Sequence, residues 1–276
     1  MLSNTFCHIP GVGCKTERRL WMQGCLSWQS ILEGESFLIP PATHRRIRSG
    51  VGRSVAELRD GNSRFFYDRL PTEEQWRIFA EFRHSTAYVD IETTGLSGMD
   101  EITTIALYDG TNIRCYVRGR NLEEFRSDIL NYKLLVTYNG KCFDVPFLER
   151  AFGIHLRAAH IDLRYVLRAL GYVGGLKNCE KQLGIDRGEL AAVDGHFAVI
   201  LWDDFRRNRN ERALETLLAY NVEDVVNLEV LMIHAYNRKL AATPFAASRR
   251  YDLPAPPRLP FTPDPQTIGR LRTAYW

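Results

Sequence analysis

From residue 85 onward the hydrophobic positions follow two rhythms. Short apolar runs bounded by Gly, Asn and Asp predict strands over 87–91, 102–108, 112–117 and 133–138. Apolar residues recurring every three or four positions predict helices over 121–131, 145–152, 163–170, 176–183 and 211–236. Strands interleaved with helices make residues 85–240 a compact α/β domain. Residues 1–80 read as a smaller, loop-rich N-terminal extension. It holds a helical run from Thr16 to Gln23, a second apolar patch from Leu26 to Leu32 and a basic loop, His44-Arg45-Arg46-Ile47-Arg48. Seven of the twelve prolines lie beyond residue 240, so 241–276 is expected to be a Pro-rich tail, extended on the domain or partly disordered.

Composition narrows the class. With 276 residues, 45 % of them hydrophobic, the chain can bury a substantial core. A net charge of +3 does not mark a nucleic-acid binder by itself, although 30 of the 36 basic residues are Arg, the better grip on phosphate. The six cysteines include no C-x-x-C, so neither a zinc knuckle nor a disulfide framework is indicated, and a reducing cytoplasm is expected. No apolar run approaches 18 residues, and no membrane association is expected.

The chemistry gathers at strand ends. Asp90 and Glu92 sit one residue apart at the end of the first strand, so both project from one face and repel unless something offsets the charge. Residues 138–144, Y-N-G-K-C-F-D, follow another strand and place Asp144 at a helix start, where it could serve as an N-cap with Pro146 in the first turn. Tyr220 and Asp224, in Y-N-V-E-D, are four apart on a long helix and share a face. His160 and Asp162 at another strand end read as structural. Lys177, after Gly174 and Gly175, is either a solvated lysine or a phosphate contact.

Together these stretches resemble the DEDD superfamily of 3′-to-5′ exonucleases (DnaQ-like), in its tyrosine subclass. Ala219 stands where the histidine subclass would place its His. From T-F-C-H-I-P-G-V-G through G-G-L-K to L-L-A-Y-N-V-E-D-V-V-N-L the chain is similar to YprB-like ribonuclease-H-like family 2 proteins. The resemblance implies a ribonuclease-H-like mixed five-stranded sheet flanked by helices, and two divalent ions, Mg²⁺ or Mn²⁺, held by Asp90, Glu92, Asp144 and Asp224. It implies that Tyr220 orients the attacking water. Thr93, Thr94, Gly95 and Leu96 would meet the 3′-terminal nucleotide together with Asn139 and Phe143, although Leu96 and Phe143 could equally be packing residues. The implied activity is 3′-end hydrolysis of single-stranded nucleic acid, DNA somewhat ahead of RNA. A catalytically inactive nucleic-acid-binding module and a structure-specific endonuclease are the rival readings.

The stretch H-I-P-G-V-G-C-K-T resembles a helix-hairpin-helix turn, in which Gly11, Gly13, Lys15 and Thr16 would hold phosphate through backbone amides and charge. Too few residues precede it for a full first helix, so an ordinary helix start is the alternative. Cys7, His8 and Cys14 match no familiar zinc spacing.

Overall fold

The structure, a computed structural model, describes residues 1–95 and 100–275. The N-terminal region is mostly helical: α1 (Cys14–Met22), α2 (Trp28–Leu32), α3 (Pro41–Arg59), α4 (Ser63–Tyr67) and α5 (Phe79–Phe82). The stretch 44–48 expected as a basic loop lies inside α3. Pro41 opens that helix, a position where its missing N–H costs nothing, and Ile47, Val51 and Ser54 form its buried stripe. Leu2, Phe6, Leu20 and Trp28 share one core with Val225, Leu228 and Tyr236 of the last long helix.

The sheet comprises β1 (Thr86–Thr93), β2 (Ile102–Tyr108), β3 (Ile113–Val117), β4 (Leu134–Thr137) and β5 (Ala159–Asp162), ordered β3-β2-β1-β4-β5. β1, β2 and β3 pair antiparallel, while β4 pairs parallel with β1 and β5 with β4. This is the mixed five-stranded, helix-flanked arrangement that the resemblance implies. The helices that follow are α6 (Phe125–Ile129), α7 (Asp144–Phe152), α8 (Leu163–Ala169), α9 (Leu176–Gln182), α10 (Gly195–Asn208), α11 (Glu211–Leu240) and α12 (Pro265–Tyr275). The helix expected over 121–131 is a 3₁₀ turn, Leu122–Glu124, running into the short α6.

Alternation along β1 sorts its side chains. Ala87, Val89 and Ile91 pack with Phe125, Phe147 and Phe152, whereas Tyr88 packs with residues of α11. Asp90 and Glu92 share the parity of Tyr88 and therefore face α11. With both faces covered, β1 reads in sequence as a nearly continuous apolar run. The ladder with β2 shifts register between Glu92 and Thr93, an irregularity that redirects the strand end beside the acids.

The tail is only partly extended. Residues near Tyr251 lie against α11 through two hydrogen bonds with Asn237 (2.8 and 3.0 Å), and the chain ends in α12, capped by Asp264. Ile268 and Leu271 of α12 pack with α10, and Arg270 pairs with Asp204 at 2.6 Å. No helix among the described residues is long and apolar enough to cross a membrane.

Candidate active site

Three elements bring the acids together. β1 contributes Asp90 and Glu92, the start of α7 contributes Asp144, and α11 contributes Asp224. One ligand oxygen each from Asp90, Glu92 and Asp224 lies within 4.8 Å of the others. Asp144 is not a helix cap: Phe143 holds the N-cap position, and Asp144 instead accepts the Ile91 backbone N–H at 3.2 Å, which ties α7 to β1. All four acids border or underlie a cleft of about 990 Å³, shared with Thr93, Thr94, Gly95, Asn139, Phe143 and Tyr220.

Burial and crowding set the charge state. Desolvation, then the charges of Asp224, Asp144 and Glu92, pushes the Asp90 carboxyl well above the ordinary carboxylate range. Glu92 is likewise pushed well up, by burial and then by Asp224 and Asp144. Asp144 is raised to about 7 and Asp224 to about 6, burial being the largest cause for each. Such a set favours a bound cation, and its all-oxygen donors suit a hard divalent ion such as Mg²⁺ or Mn²⁺.

Side chains not singled out in the sequence hold the acids in place. Asn221 donates from Nδ2 to Asp90 Oδ2 at 2.7 Å and accepts the Thr104 hydroxyl at 3.2 Å. Arg187 pairs with Asp224 and with Glu180. Asn221 stands inside the Y-N-V-E-D stretch, so its place in the sequence is a usable signal. Arg187 lies 37 positions before Asp224 with no spacing signal to betray it.

Tyr220 is buried beside the acids. Its phenol is pushed far above the ordinary value, first by burial and then by Asp224, Glu92 and Asp90, so it keeps its proton. Lys177 is half-buried rather than solvated, with Nζ 5.2 Å from the centre of the Tyr220 ring.

The loop after β4 is built for close approach. Asn139 adopts φ +66, and Asp162 accepts its N–H (2.8 Å) and that of Lys141 (3.0 Å), so Asp162 shapes this loop rather than joining the acid cluster. A Cβ at Gly140 would collide with Thr137 Oγ1, which leaves room only for glycine. Arg164 donates to the Asn139 side-chain oxygen. Phe143 is half-buried, its ring 4.8 Å from that of Phe147. In the loop after β1, Thr93 Oγ1 donates to the Gly95 carbonyl, and the Thr94 amide donates to the Glu101 carbonyl at 2.9 Å. Leu96 lies outside the described residues.

The N-terminal turn stands apart from the acids in composition and contacts. Gly11 has φ +78, and a Cβ there would collide with Arg46 Nη1 of α3. Gly13 precedes α1, with Lys15 exposed and Thr16 half-buried in its first turn. His8 Nε2 lies 2.7 Å from Ser54 Oγ, and all six cysteines are free thiols. Among the described residues, the acids of β1 and α11 are the only cluster of His, Cys, Asp or Glu side chains with metal-ligand spacing.

A family model described as RNase H superfamily (RNase_H_2) matches residues 87–236, more than half of the chain and the span that carries all four acids. A search of the curated proteins finds no match. Among solved structures, the chain is similar to the family B DNA polymerase from the hyperthermophilic archaeon Pyrobaculum calidifontis, at 19 % identity with a TM-score of 0.44. That match covers 56 % of this chain and 24 % of the polymerase chain.

Proposed function

The chain belongs to the RNase H superfamily, and from that premise we propose that it is a metal-dependent nuclease of the DEDD type, tyrosine subclass and YprB-like. It removes nucleotides from the 3′ end of single-stranded nucleic acid. The observation that carries this reading is the convergence of Asp90, Glu92 and Asp224 within 4.8 Å, with Asp144 anchored to the same strand. Asp90, Glu92 and Asp224 would hold one divalent ion, and Asp144 with Asp90 a second. Bound there, such ions supply positive charge to the attacking and leaving oxygens of the phosphodiester.

The chain's own groups do the rest. Tyr220 keeps its proton and so donates a hydrogen bond that orients the attacking water, a task for a positioner and not a base. Asn221 fixes the Asp90 carboxylate by donating to Oδ2. Because the Thr94 amide is used within its own loop, its main-chain contact to the terminal sugar would come from the carbonyl. A cleft of about 990 Å³ has the size of a small-ligand pocket. All four acids line it, and on this reading they serve the 3′ end of a single strand, as the family resemblance implies. Gly11, Gly13, Lys15 and Thr16, joined by Arg46, would grip phosphate further along the substrate, and the resemblance of this turn to a helix-hairpin-helix DNA-binding turn is what favours DNA over RNA.

With Mn²⁺, the purified protein should shorten 3′-labelled linear single strands and leave circular ones intact, DNA faster than RNA. Asp90→Asn and Asp224→Asn should each abolish hydrolysis with an unchanged circular dichroism spectrum. Cleavage of circles would assign an endonuclease, and retained turnover in either variant would overturn the metal reading.

A further inference from the structure

Four carboxylates crowded into a buried site need counter-charge, and the chain carries one of its own. The Arg187 side chain is 4 % exposed and pairs with Asp224 Oδ1. The Nε and Nη2 edge of the guanidinium faces Glu180, with Nη2 donating to Oε1 at 2.6 Å, and that same Nη2 makes the ion pair with Asp224. Glu180 is itself buried, and its Oε1 also accepts Asn227 Nδ2 at 3.0 Å. Asn227 stands three residues after Asp224 on α11, so one helix presents both the acid and the group that anchors its cation. Arg187 Nη1 is buried with no hydrogen-bond partner, and Cζ lies 5.8 Å from the Tyr220 ring centre.

We propose that Arg187 is a positioning residue and the resident counter-ion of Asp224: it holds one carboxylate oxygen in place and, by its charge, sets how tightly the site takes a divalent cation. This rests on the metal reading above. A guanidinium is suited to the task because its planar fork can serve Glu180 and Asp224 at once and never loses its proton. A plain strut predicts the opposite sign. If Arg187 merely pinned the segment after α9, its loss would loosen Asp224 and weaken cation binding. If it is a counter-ion, its loss leaves the acid cluster one charge more negative, and cation binding tightens.

The test is calorimetric titration of the full chain with Mn²⁺ alone, without nucleic acid, alongside thermal melting in chelator. Arg187→Gln should bind Mn²⁺ at least about tenfold more tightly than the wild type, since a unit charge beside a dication is removed, while its cation-free form melts lower. Arg187→Lys keeps the charge and should stay near the wild-type affinity. Glu180→Gln frees Arg187 to serve Asp224 alone and should weaken Mn²⁺ binding. Unchanged or weaker binding in Arg187→Gln overturns the proposal. If that variant does not fold, unchanged or tighter binding in Glu180→Gln overturns it instead. A wild type that binds no Mn²⁺, or whose binding survives Asp90→Asn, fails the metal reading itself, and the proposal falls with it.

Discussion

Asp90 places one carboxylate oxygen on Asn221 and faces three other acids from a half-buried position, and desolvation with their charges pushes its carboxyl well above the ordinary carboxylate range. The folded-state values of Asp144 and Asp224, about 7 and about 6, also exceed the unfolded value near 4. Between those limits the folded state binds more protons than the unfolded one, so the cluster costs the cation-free protein stability as pH rises from about 4 to 8. Asp90→Asn should therefore raise the melting temperature in chelator at pH 8. The gain should amount to a few degrees, the scale of a single favourable substitution in a chain of this size. The gain should fade toward pH 4. His8 and His160, held neutral by burial down to about 4 and about 3, lose stability as pH falls through 6.5, but variant and wild type share that loss and it cancels in the difference. A gain equal at pH 8 and pH 5 would remove charge repulsion as its cause. Tyr220→Phe keeps the ring and every acid. It should slow single-turnover hydrolysis about 10- to 1000-fold without abolishing it, the range for losing one positioning group, whereas an unchanged rate would return Tyr220 to a packing role.

α3 shows why an element can be misread. Its arginines and two internal glycines suggest a loop, yet the 47-51-54 stripe is buried against the N-terminal turn, and packing overrides local signals. Gly50 is a point of close approach: a Cβ there would fall 2.6 Å from Ile9 Cγ2. On propensity alone Gly50→Ala should stabilise a helix interior by up to about 1 kcal/mol. Here it should destabilise by about 1–3 kcal/mol, the cost of overpacking. In a double-mutant cycle read by denaturant unfolding, Ile9→Ala should relieve much of that loss. Additive effects would show that the two residues do not press on each other. α10 is an element the sequence reading does not predict, although Asp194 caps it and Phe197, Leu201 and Trp202 lie on its buried face. It carries none of the catalytic motifs, and its apolar residues are interrupted by Asp203, Asp204 and two arginines.

At the scale of the molecule, the N-terminal helices and the domain behind them share a core. Deleting residues 1–35 would strip Phe6, Leu20 and Trp28 from it, so such a truncation would test folding and not binding. Charge variants ask the question cleanly. Lys15, Arg18 and Arg46 are exposed, and replacing all three by Gln should weaken affinity for single-stranded DNA while kcat holds. For each phosphate left without its cationic partner, the slope of log K against log salt should flatten by about 0.7. Anisotropy titrations at several salt concentrations would measure this, and an unchanged slope would make the His8–Gly13 turn no more than the start of α1.

Sequence alone determined what is local or periodic. The strand rhythm placed β1, β2, β3 and β4 to within about two residues, and the spacing of Asp90 with Glu92, and of Tyr220 with Asp224, put each pair on one face, because strand and helix periods are properties of the backbone. The motifs also marked Asp144 as the third contributor. What they could not supply is any relation between residues far apart in the chain. The tertiary structure decided that Asp144 anchors to Ile91 instead of capping its helix, that Asn221 steadies Asp90, and that Arg187 reaches Asp224 from a loop with no motif of its own. Counter-charge in a buried site is chosen by proximity in space, and proximity is settled only when the sheet, α9 and α11 have closed around it.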